Sequence, residues 1–155
     1  MALLKPNDIP RLTSLSGNID IDKLTPHAFT AQMVDAKRVL GLNLYNKIVA
    51  DDDANTLTGV YATIYNDYLI FILAYYTASY YIGFGNFHIV NNGIAKMNIE
   101  GGTSADSKEV NLLVDRYRQM AINFETELLK YLKTIDIPEY LLENEVNVKP
   151  IINWY

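Results

Sequence analysis

Apolar positions recur at helical spacing along most of the chain, and one stretch is apolar on every side. Residues 68–87, YLIFILAYYTASYYIGFGNF, contain no formal charge in twenty positions. At 100° per residue, small or polar side chains gather on one side of this stretch and aromatic side chains on the other. The aromatic side carries Tyr61, Tyr65, Tyr68, Ile72, Tyr75 and Tyr76. The pattern predicts a long helix with a thick aromatic face.

This helix is long enough to span a membrane, but its pattern argues against a span. Tyrosines recur along the whole run instead of forming two belts, and each hydroxyl needs a partner. No Lys or Arg follows until Lys96, so no basic flank sets an orientation. We therefore expect a helix covered by protein. Two covers are open: the chain's own bundle or a neighbouring subunit, which we favour because a small domain offers few neighbours.

Two amphipathic helices are predicted before the tyrosine-rich helix. Thr25-Pro26 predicts the start of the first, over about 26–40, and Gly41 predicts its end in a left-handed cap. Its predicted apolar stripe is Phe29, Met33, Ala36 and Leu40. The second, LNLYNKIVA, places Leu44, Tyr45 and Ile48 on one side. The following DDDANT predicts a solvated acidic linker, since it lacks the Gly and Glu of a calcium loop.

A β-hairpin is predicted after the tyrosine-rich helix. Asn92-Gly93 lies between short β-branched and aromatic runs, and both residues accept the positive φ of a tight hairpin turn. A two-stranded hairpin is marginal alone, so its apolar residues need cover from the chain's own bundle or from a neighbour. These residues are Phe87, Ile89, Val90 and Ile94.

The last long helix is amphipathic. Asp106 and Glu109 have the spacing of a capping box at its start. Its predicted buried stripe is Val110, Leu113, Val114, Tyr117, Ala121, Phe124, Leu128 and Tyr131. Its predicted outward side is Arg116, Arg118, Gln119, Asn123, Glu125 and Glu127.

The order of these elements predicts one mainly α domain over residues 1–155. We expect a bundle of about four helices, a small hairpin inserted between the last two long helices, and an extended C-terminal tail. The N-terminal arm covers 1–24, the hairpin 86–99 and the tail 138–155. Pro150 blocks a helix in the tail, and the apolar cluster beyond it predicts an interface anchor more than a fold-back onto the bundle. The cluster is Ile151, Ile152, Trp154 and Tyr155.

Composition argues against several kinds of chemistry. The chain has no cysteine, which excludes disulfides and thiolate nucleophiles, and its net charge of −5 argues against a phosphate-gripping surface. His27 and His88 belong to no metal-ligand spacing, and neither a nucleophile elbow nor a phosphate loop occurs. We expect no enzyme, no metal, no cofactor and no secretory signal. A small hydrolase acting through His88 is the weakest alternative.

The ordered set of segments resembles the head-to-tail connector, or adaptor, proteins of tailed bacteriophages. The matching parts are AKRVLGLNLYNKI, the tyrosine-rich helix, HIVNNGIAK, and YRQMAINFETELLKYL followed by IPEY, from about Thr25 to Tyr140. The likeness is greatest to ring proteins of phages that infect Bacteroides, including the crAss-like phages.

The resemblance implies a structural protein of the virion neck, made in the host cytoplasm. Such proteins form rings of about a dozen copies on the portal, contact tail or further neck proteins, and let DNA pass without specific binding; closed rings use head-to-tail interfaces. The expected subunit or portal interface comprises Tyr61, Tyr65, Tyr68, Tyr75, Tyr76, Phe87, Ile89, Val90, Asn92, Gly93, Ile94, Ile151, Ile152, Trp154 and Tyr155. The alternative function is a soluble helical protein-binding module without catalytic activity.

Overall fold

The computed structural model of the protein describes residues 3–15, 19–85, 87–90, 93–96 and 106–140. Helix α1 (Ile9–Leu12) follows a single 3₁₀ turn, and α2 runs continuously as Ile21–Thr30, a π-helical Ala31–Ala36, and Lys37–Leu40. Helix α3 is Leu42–Asp53. Helix α4 consists of Gly59–Thr63, a π-helical segment Ile64–Leu69, and Ile70–Gly85, which follow one another without a break. Helix α5 is Ser107–Leu132. Strands β1 (Phe87–Val90) and β2 (Gly93–Lys96) pair antiparallel. The predicted mainly α class is confirmed.

Helix α4, the tyrosine-rich helix, which carries no formal charge from Tyr68 to its end, lies at the centre of the bundle. It runs antiparallel to α5, since Tyr68 stacks on Tyr131 near one end and Gly83 approaches Val114 near the other. It is also antiparallel to α2, where His27 stacks on Phe84. The small or polar side of α4 is covered only in its second half, since Asn66 and Asp67 are exposed. The fully or almost fully buried residues there are Ala74, Thr77, Ala78 and Ser79.

Within the described part of the chain, none of the helices combines the length and the apolar character that a bilayer crossing requires. The chain's own bundle, which was one of the two predicted covers, encloses the middle of α4, where Ile72, Leu73, Ala74 and the four residues 76–79 are buried. The hydroxyls of its buried Thr and Ser residues are satisfied inside the helix: Thr77 donates to the Leu73 carbonyl and Ser79 to the Tyr76 carbonyl.

The N-terminal residues pack on the same core. Leu3, Leu4 and Ile9 are buried. The Leu3 backbone is held at both polar groups, because its N–H donates to Gln32 Oε1 at 2.8 Å and its carbonyl accepts from the Tyr65 hydroxyl. The predicted N-terminal arm is thus tied to α2 and α4 of its own chain over the part that the structure describes.

The predicted stripe of the first helix was wrong in its first half. Ala36 and Leu40 are buried, but Phe29 is 59% exposed and Met33 is 37% exposed. The buried face instead carries Leu24, Ala28, Ala31, Gln32, Asp35, Ala36, Val39 and Leu40. Two of these are polar, and both are satisfied by partners on other helices, so a hydrophobicity pattern alone assigned this face incorrectly.

The boundaries of α2 and α3 also differ from those predicted. Helix α2 begins at Ile21, because the Asp20 side chain accepts from the Asp22 N–H as an N-cap, and Pro26 lies inside the helix. Helix α3 continues through the three aspartates to Asp53, and Lys47 pairs with Asp51 at 2.8 Å. Leu44, Tyr45 and Ile48 are buried as predicted.

Helix α5 confirms the predicted capping box and most of the predicted stripe. Asp106 accepts from the Glu109 N–H at 2.8 Å while Glu109 accepts from the Asp106 N–H at 2.9 Å. Two residues were assigned to the wrong side: Leu113 is 42% exposed, and Glu125 is buried. Glu125 is buried because Arg38 of α2 reaches it.

The pairing of the two strands places the predicted hairpin one residue away from its expected position. Val90 lies opposite Gly93, so Gly93 belongs to β2 and the predicted turn at Asn92-Gly93 was placed one residue late. Ile89 lies opposite Ile94.

Gly41 joins α2 to α3 in a conformation that requires glycine. Its φ of 76° and ψ of 164° lie in a region that is essentially closed to residues with a Cβ. We expect Gly41→Ala to lower the free energy of unfolding by about 1–3 kcal/mol. Gly83→Ala is the control: its Cβ would meet Val114 at an ordinary 3.7 Å. Urea unfolding of both variants checks this, and equal losses would contradict it.

Candidate functional site

A partly buried polar cluster joins α2, α4 and α5 around Arg38, whose side chain is 52% exposed. Its guanidinium donates to both carboxylate oxygens of Glu125, one at 3.3 Å, and to Asp35 Oδ1 at 3.4 Å. It also donates to the Tyr76 hydroxyl at 3.3 Å. Tyr80 donates to the second oxygen of Asp35 at 2.8 Å. We call these five residues the Arg38 cluster.

Burial and pairing shift the ionisation of the Arg38 cluster. Burial raises the pKa of Asp35, although hydrogen bonds from Tyr80 and Arg38 act in the opposite direction. Burial and the bond to Asp35 raise the pKa of Tyr80 to about 12, and burial raises the pKa of Tyr76 as well. The bond to Glu125 holds the pKa of Arg38 above its ordinary value. Tyr76 and Tyr80 are therefore both neutral at physiological pH.

The Arg38 cluster stabilises the packing of three helices, because its hydrogen bonds link α2, α4 and α5. No buried side-chain N or O atom among the described residues lacks a hydrogen-bond partner, and these residues contain no group of acidic or His side chains able to hold a metal. Breaking one member leaves other buried polar groups unpaired, which costs more than the pair itself contributes. Its position on three helices fixes their relative rotation.

The five tyrosines predicted at an interface all make contacts inside the chain. Tyr68 stacks on Tyr131, and Tyr75 packs against Phe124 and Tyr117. Tyr76 belongs to the Arg38 cluster. Tyr61 donates to Glu139 at 2.9 Å, and Tyr65 donates to Leu3. All but Tyr76 remain half-buried, with part of each ring open to solvent.

The other predicted interface residues lie in two segments. Phe87, Ile89, Val90, Gly93 and Ile94 are described only by their strand pairing. Outside the described residues lie Asn92, Ile151, Ile152, Trp154 and Tyr155. The interface roles of both segments stay predictions.

Exposed apolar side chains mark a groove along one flank of α5. Two adjoining hollows of about 310 and 340 Å³ share Met120. The first is lined by Ser14, Tyr75, Leu113, Arg116, Tyr117 and Met120, and the second by Met120, Asn123, Phe124, Thr126 and Glu127. We call this the α5 groove. Its aromatic floor and polar ends have the character of a docking surface.

Further exposed apolar residues gather where α2 begins and α4 ends. Phe84 is 67% exposed and stacks on His27, with ring centroids 5.8 Å apart. Phe29 lies close by on α2, and Leu112 lies on the first turns of α5. Since α4 runs antiparallel to both helices, all of them lie at the end of the bundle from which the strands continue.

The sequence interpretation missed the Arg38 cluster. Asp35, Arg38 and Glu125 each look like ordinary surface charges, because partners 87 residues apart leave no local pattern. One signal was present: Asp35, Arg38, Tyr76 and Tyr80 are spaced by three or four residues on their helices, which places each pair on one face.

A known protein family matches most of the chain. A family model matches residues 36–149, which include α3, α4, both strands and α5. The chain belongs to this family, described as a family of unknown function (DUF6712). No curated protein and no solved structure matches the chain.

Asp35 should leave a signature in the pH dependence of stability. Its raised pKa means that, from pH 3.8 up to the folded-state value, the folded chain binds more protons than the unfolded one. Stability from this group therefore falls as pH rises through that window and is constant above it. Asp35→Asn removes the titration, so the variant should gain stability relative to wild type across the window.

Thermal unfolding at closely spaced pH values measures this difference. Tyr80→Phe provides a second variant, because it removes a hydrogen bond that lowers the pKa of Asp35 and should extend the window to higher pH. A wild-type minus Asp35→Asn difference that stays flat or rises with pH would contradict this interpretation.

Proposed function

We propose that the chain is a structural virion protein, a connector whose copies form a ring that joins the portal to the tail of a bacteriophage. The observation that carries the proposal is the ordered set of segments from Thr25 to Tyr140 that resembles connector proteins. Its place is the virion neck, after synthesis in the host cytoplasm. The resemblance implies a ring of about a dozen copies, and a closed ring of any size needs one head-to-tail contact repeated by rotation.

The architecture supports this proposal in a specific way. Helix α4 is held between α2 and α5 by aromatic stacks and by the Arg38 cluster. In sequence, the paired strands lie between the two longest helices, shortly after exposed Phe84. A bundle tied by these contacts, with an apolar end and an inserted hairpin, suits a repeated subunit contact, because a pre-ordered surface loses little order on docking.

In the proposed ring, the hairpin and the C-terminal residues carry most of the contact. The aromatic face of α4 is already covered, so Tyr61, Tyr65, Tyr68 and Tyr75 contribute exposed ring edges and Tyr76 supports the interface from within. The portal is the first partner and a tail or further neck protein the second. The net charge of −5 suits a passage for DNA, since a basic channel would retain phosphate.

The protein acts without catalysis in this proposal, and without a cofactor. The alternative is a soluble helical module that binds a peptide or a host protein through the same surfaces, which the α5 groove favours. Gene neighbourhood separates the two: portal, capsid and terminase genes alongside favour the connector.

Electron microscopy tests the connector proposal directly. Virions, or the chain mixed with its portal protein, should show a ring of this protein at the neck with helix-sized density matching α2, α4 and α5. Virions whose neck ring is built from a different protein would overturn the proposal.

The hairpin provides a sharper test of the proposed interface. Ile89 and His88 are consecutive residues of β1, and consecutive residues of a regular strand alternate between its two faces. If Ile89 contacts the next subunit, Ile89→Asp should abolish ring assembly, since burying an unpaired charge costs several kcal/mol, while leaving the melting temperature unchanged. His88→Asp is the matched control and should assemble. An Ile89→Asp chain that assembles but melts at a lower temperature would show that the bundle itself covers the hairpin.

A further inference from the structure

The α5 groove is an apolar hollow with a defined length and opposite charges at its ends. Met120, at its centre, is 40% exposed beside the half-buried ring of Phe124. Glu127 lies at one end and Arg116 toward the other. Eleven residues of helix separate these two charges, which is about 16 Å along the axis.

We infer that, in the free chain, residues 149–155 of the same molecule occupy the α5 groove. These residues, KPIINWY, lie outside the described part of the chain and hold a basic residue followed by four apolar ones. The inference concerns the chain before any assembly and does not rest on the proposed function. A neighbour could receive the same residues later, once a ring forms.

The dimensions match when Lys149 pairs with Glu127. An extended chain from Lys149 to Trp154 spans about 16 Å, which places Trp154 level with Arg116. Ile152 then lies about 10 Å along, level with Met120. Ile152 and Trp154 face the same side of an extended segment, so both can meet the groove while Arg116 stacks on the indole as a cation over an aromatic face.

The connection to the described chain is also long enough. Glu139 accepts from Tyr61 at the start of α4, which holds the chain near Tyr140 at the end of the bundle where α5 finishes. Glu127 lies only five residues before the end of α5, about 8 Å along its axis. Residues 141–148 can span up to about 28 Å, so the tail reaches the groove of its own molecule without strain.

Docking within one molecule is favoured over docking between molecules. A short tether holds the tail near the groove at an effective concentration in the millimolar range, far above that of a second free chain. The existing partner of Glu127 offers little competition, because its pair with Lys130 is exposed on both sides.

Trp154 is the only tryptophan in the sequence, so its fluorescence reports the tail directly. We expect wild-type emission to be blue-shifted and protected from iodide, independent of protein concentration. Met120→Lys should shift the emission to the red and weaken docking about tenfold, the effect of losing one apolar anchor. Ile122→Lys is the control, since Ile122 is equally exposed at 38% but lies on the opposite flank of α5.

A charge exchange tests the register. Glu127→Lys, which replaces the attraction to Lys149 by repulsion, should measurably increase the exposure of Trp154 to iodide, and adding Lys149→Glu to that variant should reverse the increase. Circular dichroism confirms that each variant keeps its helices. The inference is overturned if wild-type emission is already that of a free tail, if Met120→Lys behaves like Ile122→Lys, if the charge exchange restores nothing, or if protection appears only as concentration rises.

Discussion

The structure depends on covering a helix that has no charged face. Helix α4 presents apolar, aromatic or small residues on every side from Ile70 to Gly85, and a helix of that character is stable in water only when neighbours enclose it. A chain of 155 residues meets this need with two long antiparallel helices and a buried N-terminal segment. Aromatic stacks cover the side facing α5, and small residues allow close approach elsewhere. The Arg38 cluster then fixes how the three helices are rotated.

Much of this arrangement could be predicted from local patterns. The capping box at Asp106, the break at Gly41 and the apolar side of α3 follow from rules that act over a few residues, and all three are present. The errors arise where tertiary contacts decide. Phe29 and Met33 look like core residues but are exposed, because Gln32 and Asp35 take the buried positions and find partners in Tyr45 and Tyr80.

Glu125 is the opposite case: it looks like a surface residue in the sequence but is buried. Its neighbours in sequence are polar and its helix is amphipathic, so only Arg38, far away in the chain, explains why it is buried. The exposed surfaces of the folded chain could not be predicted from the sequence either. The α5 groove, for example, forms only where α4 and α5 meet around Met120. Membership in a family of unknown function makes these surfaces the place from which function must be argued. They lead to the proposal of a rigid subunit that assembles through its hairpin, its apolar end and its C-terminal residues.

The central claim is that α4 is enclosed by its own chain, so that assembly uses other surfaces. Sedimentation equilibrium of the isolated full chain, combined with thermal unfolding over a wide range of protein concentration, tests this most directly. A monomer whose unfolding is cooperative and whose melting temperature does not depend on concentration is the predicted result, because the buried middle of α4 is covered within the chain. An obligate oligomer whose melting temperature rises with protein concentration would contradict the account.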